Sequence, residues 1–380
     1  MTEKTGLYIH IPFCRSRCLY CGFYSSPGAC GRDYLQMAVR EMEQYCAEKE
    51  IPPLDTVYIG GGTPSTMGGD GTAFLMSRIH RLFTVVPGAE TTMEMNPCDM
   101  TQDFLEKTKA AGINRISIGI QSFQDKILKK IGRRHTAEEG AQAVRRAWRA
   151  GYRNISIDLM YDLPGQTPED FQKSLKKAVH LPISHLSVYS LIIEDGTPFG
   201  RLDRAGRLLR PTEGDSWRMY QTMCRLLPHY GFERYEISSF ARRGFQSVHN
   251  KKYWTGHSWL GIGPSAVSYM DGQRWKNTPS LPKYMDCLSK GIRPQREEEV
   301  LGITERMEEY CFLRLRMTEG LPRKEFQSLF GQAPENWYGQ QIQFLIKNGL
   351  LEDKENFLKM TPKGMALGNF VFENFIRTES

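Results

Sequence analysis

Three cysteines lie within eight residues in the run Cys14-Arg-Ser-Arg-Cys18-Leu-Tyr-Cys21. Thiolates are soft ligands suited to iron–sulfur clusters, and three of them hold three irons of a cubane, leaving the fourth open to another ligand. Gaps of three and two residues let one loop curl around such a 4Fe-4S cluster, and Phe13, Tyr20 and Phe23 are placed to shield it from water. Two other chemistries fit the same residues: a zinc site completed by Cys30 or His10, and a thioredoxin-like pair from Cys18 and Cys21. Structural zinc sites pair two short ligand groups, and no second group follows here, so the spacing favours iron–sulfur. The chain has nine cysteines, an odd number, and Cys46, Cys98, Cys224, Cys287 and Cys311 stand isolated. A disulfide framework is therefore not expected, and a reducing compartment is.

Further polar residues fall at the ends of short apolar runs. Gly60-Gly61-Gly62-Thr63 lets the backbone approach a ligand closely, although a lone glycine run is more often a turn. Glu94, Gln121 and Asp158 stand near the ends of three later runs. Single polar residues there commonly serve as strand-end caps. Their shared location suggests a ligand instead.

The elements that must position these residues are legible as β-branched or aromatic runs at Leu7–Ile11, Thr56–Ile59, Thr92–Met95, Arg115–Gly119, Asn154–Met160 and His185–Leu191, with helical patterns between most of them. Thr136 with Glu139 makes a capping box, and Thr167-Pro168 opens another helix. The βα rhythm suits an open doubly wound sheet and a barrel equally. The polar residues gather after strand ends, as in barrel enzymes, so the expected fold is α/β, a partial (β/α)6 TIM-type barrel. We expect a core at 1–200, an extension at 201–296 that is loop-rich with arginines at 201, 204, 207 and 210, and a C-terminal domain at 297–380. That domain reads as mainly helical and winged-helix-like, with helices near Thr304–Met317, Arg323–Leu329 and Trp337–Asn348 and a short strand pair around Phe357–Thr361. Its basic residues do not outnumber its acidic ones, which argues against nucleic acid as a partner.

At 380 residues, 40% hydrophobic and 24% charged, the chain is an ordinary globular one, and +7 net charge permits an acidic partner without requiring one. The amino-terminal run lacks the pattern of a signal peptide and no stretch fits a membrane span, so a cytoplasmic location, with peripheral membrane contact allowed, is the expectation.

The segment YIHIPFCRSRCLYCGFYS resembles radical-SAM proteins of the coproporphyrinogen-dehydrogenase-like branch. The likeness continues through GGGTPS at 60–65, MEMNP at 93–97, SIGIQSF at 117–123, SIDLMYDLPGQT at 156–167, YSLIIEDGTPF at 189–199, YEISSFAR at 235–242 and HNKKYW at 249–254. Within that branch the chain is most similar to the HemW haem-chaperone group. HemN-type oxidases read CxC after the third cysteine where this chain has Cys21-Gly22-Phe23, and they carry a longer segment before the cluster loop.

The resemblance implies a 4Fe-4S cluster on Cys14, Cys18 and Cys21, and S-adenosylmethionine (SAM) lined by Tyr8, Gly61, Gly62, Thr63 and Glu94, with Tyr20 beside the cluster. Gln121, Arg133 and Asp158 match positions that hold a second SAM in the oxidase relatives. HNKKYW then reads as a haem segment: His249 as iron ligand, Tyr253 and Trp254 as packing surface, Asn250 as an orienting group, and Lys251 or Lys252 toward propionates. A histidine among aromatics is otherwise usually a hydrogen-bonded core residue, and the lysines a solvated face. Two functions compete. One is a haem chaperone that delivers haem to respiratory, membrane-associated apo-haemoproteins. The other is a porphyrin-directed radical-SAM enzyme fed by a low-potential electron donor, in which cleaved SAM yields a 5′-deoxyadenosyl radical. A homodimer is compatible with the sequence.

Overall fold

The computed structural model describes residues 4–294, 296–299 and 301–376, and the side chains of 296–299 lie outside the description. Six strands run parallel in chain order: β1 (Thr5–Ile11), β2 (Leu54–Gly61), β3 (Val85–Met95), β4 (Arg115–Gln121), β5 (Asn154–Tyr161) and β6 (His185–Ser190). Each pairs with its predecessor, so the sheet winds one way without the reversal that defines a doubly wound fold. It stays open. Trp259–Ile262 continues it in parallel beyond β1, and Ser239–Ala241 joins antiparallel beyond β6.

Strand alternation sorts the two faces. Val57, Ile59, Met93, Ile116, Ile118, Ile155, Ile157, Leu186 and Val188 belong to the buried apolar core that packs the outer helices. The alternate set, Thr56, Tyr58, Glu90, Glu94, Arg115, Ser117, Ser156, Asp158, His185 and Ser187, makes the other face of the sheet polar. The expected capping box is present, with Thr136 Oγ1 accepting from Glu139 N at 3.2 Å while Glu139 accepts from Thr136 N at 2.7 Å, and a second one joins Thr167 and Asp170 in the same way.

The region after 200 is more ordered than its arginine-rich composition suggests. Pro198–Arg204 is helical, and Thr212 caps a 17-residue helix, Glu213–His229, by accepting from Asp215 N. Acidic Glu213 and Asp215 suit that helix's positive end. At the expected boundary of 296/297, Arg296–Glu299 pairs with Gln273–Asn277, so the sheet runs on by one strand. A separate core follows, built on Met307, Leu315, Phe326, Tyr338, Leu345, Leu358 and Phe375. Its helices Ile303–Leu315, Arg323–Phe330 and Pro334–Lys347 pack with a three-stranded sheet of Leu321–Pro322, Phe357–Met360 and Leu351–Lys354. Among the described residues no helix is long and apolar enough to cross a membrane.

Candidate functional site

The carboxyl ends of β1 to β6 surround a cavity of about 640 Å³. Cys14, Cys18 and Cys21 line it, with Tyr20, Gly61, Gly62, Thr63, Glu94, Gln121, Arg133 and Asp158. Cys14 Sγ lies 3.2 Å from Thr63 Oγ1, and Arg133 Nη1 donates to Cys18 Sγ at 3.4 Å. A guanidinium thus sits beside a sulfur that would carry negative charge as a thiolate. Burial pushes the Cys21 thiol up. The additional ligands a zinc site would need are otherwise engaged. Both ring nitrogens of His10 are occupied, Nδ1 by Tyr8 OH at 3.1 Å and Nε2 by Tyr24 O at 3.1 Å, while Cys30 is buried in the hydrophobic core with its thiol pushed up to about 12 by burial.

The glycine run has a packing reason as well as a ligand-facing one. Gly61 has φ of 109°, and a Cβ there would stand 2.7 Å from the His10 ring; at Gly62 it would meet Phe13 O at 2.8 Å. Larger residues would push the cluster loop away. Gly61 N donates to Glu94 at 3.1 Å and Tyr58 OH donates to it at 2.8 Å, fixing that carboxylate, whose pKa desolvation raises to about 7. Gln121 takes a left-handed backbone, φ 69°, at the mouth. Asp158 accepts from Ser117 Oγ at 3.3 Å, and burial raises its pKa. Arg133 also donates to Gly119 O. Tyr8 stacks on Tyr58, with its hydroxyl on His10.

The HNKKYW segment forms most of a helix, Val248–Thr255, packed against the barrel's polar interior. His249 is 0% exposed. Its Nδ1 pairs with Thr56 Oγ1 at 2.8 Å, its Nε2 with Tyr253 OH at 2.8 Å, and its ring stacks on Tyr58 at 5.1 Å. Both ring nitrogens are thus hydrogen-bonded inside the fold, so ligation of haem iron by His249 would require one of these two bonds to open. Asn250 N bonds Ser247 Oγ at 3.3 Å, and Trp254 lies under Arg316. Tyr253 packs edge-on against Trp259 at 4.7 Å. These residues do not join the cysteine cavity.

The chain's sequence relatives decide the family. Two at this length are haem chaperones HemW: one from Bacillus subtilis (strain 168), 36% identical over 97% of this chain and 98% of that protein, and one from Lactococcus lactis subsp. lactis, 38% identical over 99% and 98%. The chain belongs to the HemW family. The model of the radical SAM superfamily matches residues 8–178, and that of the HemN C-terminal domain residues 303–367. Among solved structures, the radical-SAM coproporphyrinogen III oxidase HemN from Escherichia coli superposes with a TM-score of 0.84 over 98% of this chain and 90% of that one, at 22% identity. The fold is thus the radical-SAM partial barrel. Radical-SAM membership implies a 4Fe-4S cluster and SAM. The chain has residues that fit both: three thiols converging on one cavity, a cation beside one of them, and a half-buried carboxylate next to a glycine-lined wall.

Several residues that support the barrel interior and the Val248–Thr255 helix escaped the sequence reading. Glu90 accepts the backbone N–H of Val248 at 3.1 Å and of His249 at 3.0 Å, capping the helix from the barrel interior. Arg115, 1% exposed, stands 3.8 Å from Glu90. Thr56 and Tyr58 hold His249 and Glu94 respectively. Strand parity was the available signal, since Glu90 shares a face with Glu94, and Thr56 and Tyr58 with Gly60.

Proposed function

We propose that the chain is a haem carrier that binds haem and passes it unmodified to acceptor haemoproteins, respiratory and membrane-associated ones foremost. Near-full-length likeness to HemW chaperones carries this reading. Cys14, Cys18 and Cys21 would hold the cluster, while Gly61, Gly62, Thr63 and Glu94 would line SAM, with Gln121, Arg133 and Asp158 toward a second ligand. The cluster with SAM supplies one-electron chemistry when bound. The chain's own part at the mouth is to place Arg133 against Cys18 and to orient the half-buried Glu94 through Tyr58 and Gly61.

Glu94 gives this reading a pH signature. With its pKa raised to about 7, the carboxyl loses its charge as pH falls below that value, and with it the attraction for an amino group. Around it stand Tyr58, Asp158 and Arg115, so the shift belongs to a coupled environment. SAM binding to the reconstituted protein, followed by equilibrium titration, should weaken between pH 8 and pH 6 (about one unit either side of that value). Glu94→Gln should bind more weakly and flatten the profile. A wild-type affinity unchanged across that range would remove Glu94 from the SAM wall.

The oxidase reading has a separate test. The chain has Gly22-Phe23 after Cys21 where the oxidases have their further cysteine. A complete anaerobic assay with coproporphyrinogen III, SAM and reductant should yield no protoporphyrinogen, while the same preparation takes up haem. Steady protoporphyrinogen formation without haem uptake would replace the carrier with an enzyme.

A further inference from the structure

Among the described residues the three most exposed large apolar side chains are Ile192 at 71%, Leu209 at 70% and Phe23 at 69%. They gather around the loop that carries the three thiols. Phe23 and Ile192 both line the mouth of the cysteine cavity. Leu19, inside the loop, donates its N–H to Ile131 O at 3.2 Å and accepts from Phe199 N at 3.0 Å. The loop is thus held between the end of the helix Asp125–Lys130 and the start of the helix Pro198–Arg204. Gly165 N donates to Leu209 O at 3.2 Å, and a Cβ on Gly165 would run into Lys130 Nζ, so Leu209 stands beside the end of the first of these helices.

The arginine-rich stretch seen in the sequence, which the cavity does not use, lands on this face. Arg201, Arg204, Arg207 and Arg210 follow Phe199, Lys129 and Lys130 end the opposite helix, and Arg15 projects from the loop itself. Arg204 and Arg210 are paired with Asp195 and Asp203. Arg15, Lys129, Lys130 and Arg207 are exposed and make no ion pair among the described residues. Glu194, exposed at the mouth, opposes them only in part. Charge alone would describe a solvated face. Apolar side chains left in water among unpaired cations describe a docking surface, with opposite charge to steer the partner and apolar contact to hold it briefly.

The position of the face selects the partner. It is the outside of the cluster loop, whereas the HNKKYW residues do not join the cysteine cavity. A protein seated here is close to Cys18 and Cys21 and away from His249.

We infer that this face docks an acidic one-electron carrier protein that reduces the cluster across the loop. The carrier loses one electron and the cluster gains it, with no bond made or broken and no proton moved. This rests on the cluster assignment above and is independent of where haem binds. A small contact of this kind suits a redox encounter, which must part after each transfer.

The test uses the full chain with its cluster reconstituted and an acidic flavodoxin as the probe carrier. Titration with oxidised flavodoxin reads affinity, and anaerobic mixing with the reduced form reads electron arrival through the paramagnetic resonance of the reduced cluster. Lys129→Glu, Lys130→Glu and Arg207→Glu combined should weaken flavodoxin binding by about tenfold or more at low ionic strength and flatten its salt dependence. Cluster reduction by flavodoxin should slow to a similar degree, while reduction by dithionite, which needs no docking face, should keep its wild-type rate. Leu209→Ser should weaken binding without changing the salt slope. All these side chains are exposed, so iron content should match the wild type. Wild-type flavodoxin affinity and reduction rate in the triple variant would overturn the face, as would anionic lipid vesicles held by these residues when flavodoxin is not. A wild-type chain that assembles no cluster would instead overturn the assignment on which the face depends.

Discussion

Alanine at any one of Cys14, Cys18 or Cys21 should take the reconstituted protein from about four irons per chain to nearly none, with loss of its brown absorbance. The three thiols line one cavity, and two of them cannot hold a cubane against solvent. Each is placed by a different contact: Cys14 by Thr63, Cys18 by Arg133, and Cys21 by its own N–H on Cys18 O at 3.2 Å. Cys30→Ala is the matched control. Its thiol is buried in the core, so iron content should stay at the wild-type level. Iron and sulfide analysis after anaerobic reconstitution reads the result. Full iron in the triple variant would remove the cluster from this loop.

His249→Ala should cost about 3 kcal/mol of stability, with or without haem. The change empties a fully buried volume and leaves Thr56 Oγ1 and Tyr253 OH without their partner. Burial, with Lys252 and Arg115 nearby, holds the imidazole down at about 3. In the unfolded chain it titrates near about 6.5. The folded pKa is the lower one, so the contribution of the neutral ring is fully present above 6.5 and is lost progressively as pH falls toward 3 (both values about a unit wide). His249→Gln, which keeps a donor and an acceptor but cannot take up a proton there, should recover part of the loss and flatten the acid limb. Denaturant midpoints measured across that pH range decide it. A His249→Ala variant as stable as the wild type would mean the segment is open in solution.

The strands were legible because β-branched runs end in turn residues, and the cluster loop because three thiols at such spacing have few other uses. The capping box at Thr136 and the proline that opens the helix after Thr167 were equally plain, being local. What stayed hidden depends on distance along the chain. Nothing near His249 announces Thr56, 193 residues away, or Glu90, 159 residues away, yet these two hold its ring and its backbone N–H. The helix Glu213–His229 was missed for a different reason: Gly214, Pro228 and the preceding arginines weaken the local pattern, and packing of Met219, Met223 and Leu227 into the barrel core overrides it. The polar interior was readable in principle from strand alternation. Only the sheet order, however, shows that these residues face one another.

The function claimed for this chain is delivery, so the most direct measurement is of haem leaving it. Wild-type protein with its cluster reconstituted and one haem bound is mixed anaerobically with an apo-haemoprotein, with and without SAM and reductant, and the porphyrin is followed by absorbance and mass. The haem should appear intact in the acceptor faster than free haem exchange explains, with its mass unchanged. Haem consumed or ring-opened in proportion to 5′-deoxyadenosine formed, with none reaching the acceptor, would contradict delivery.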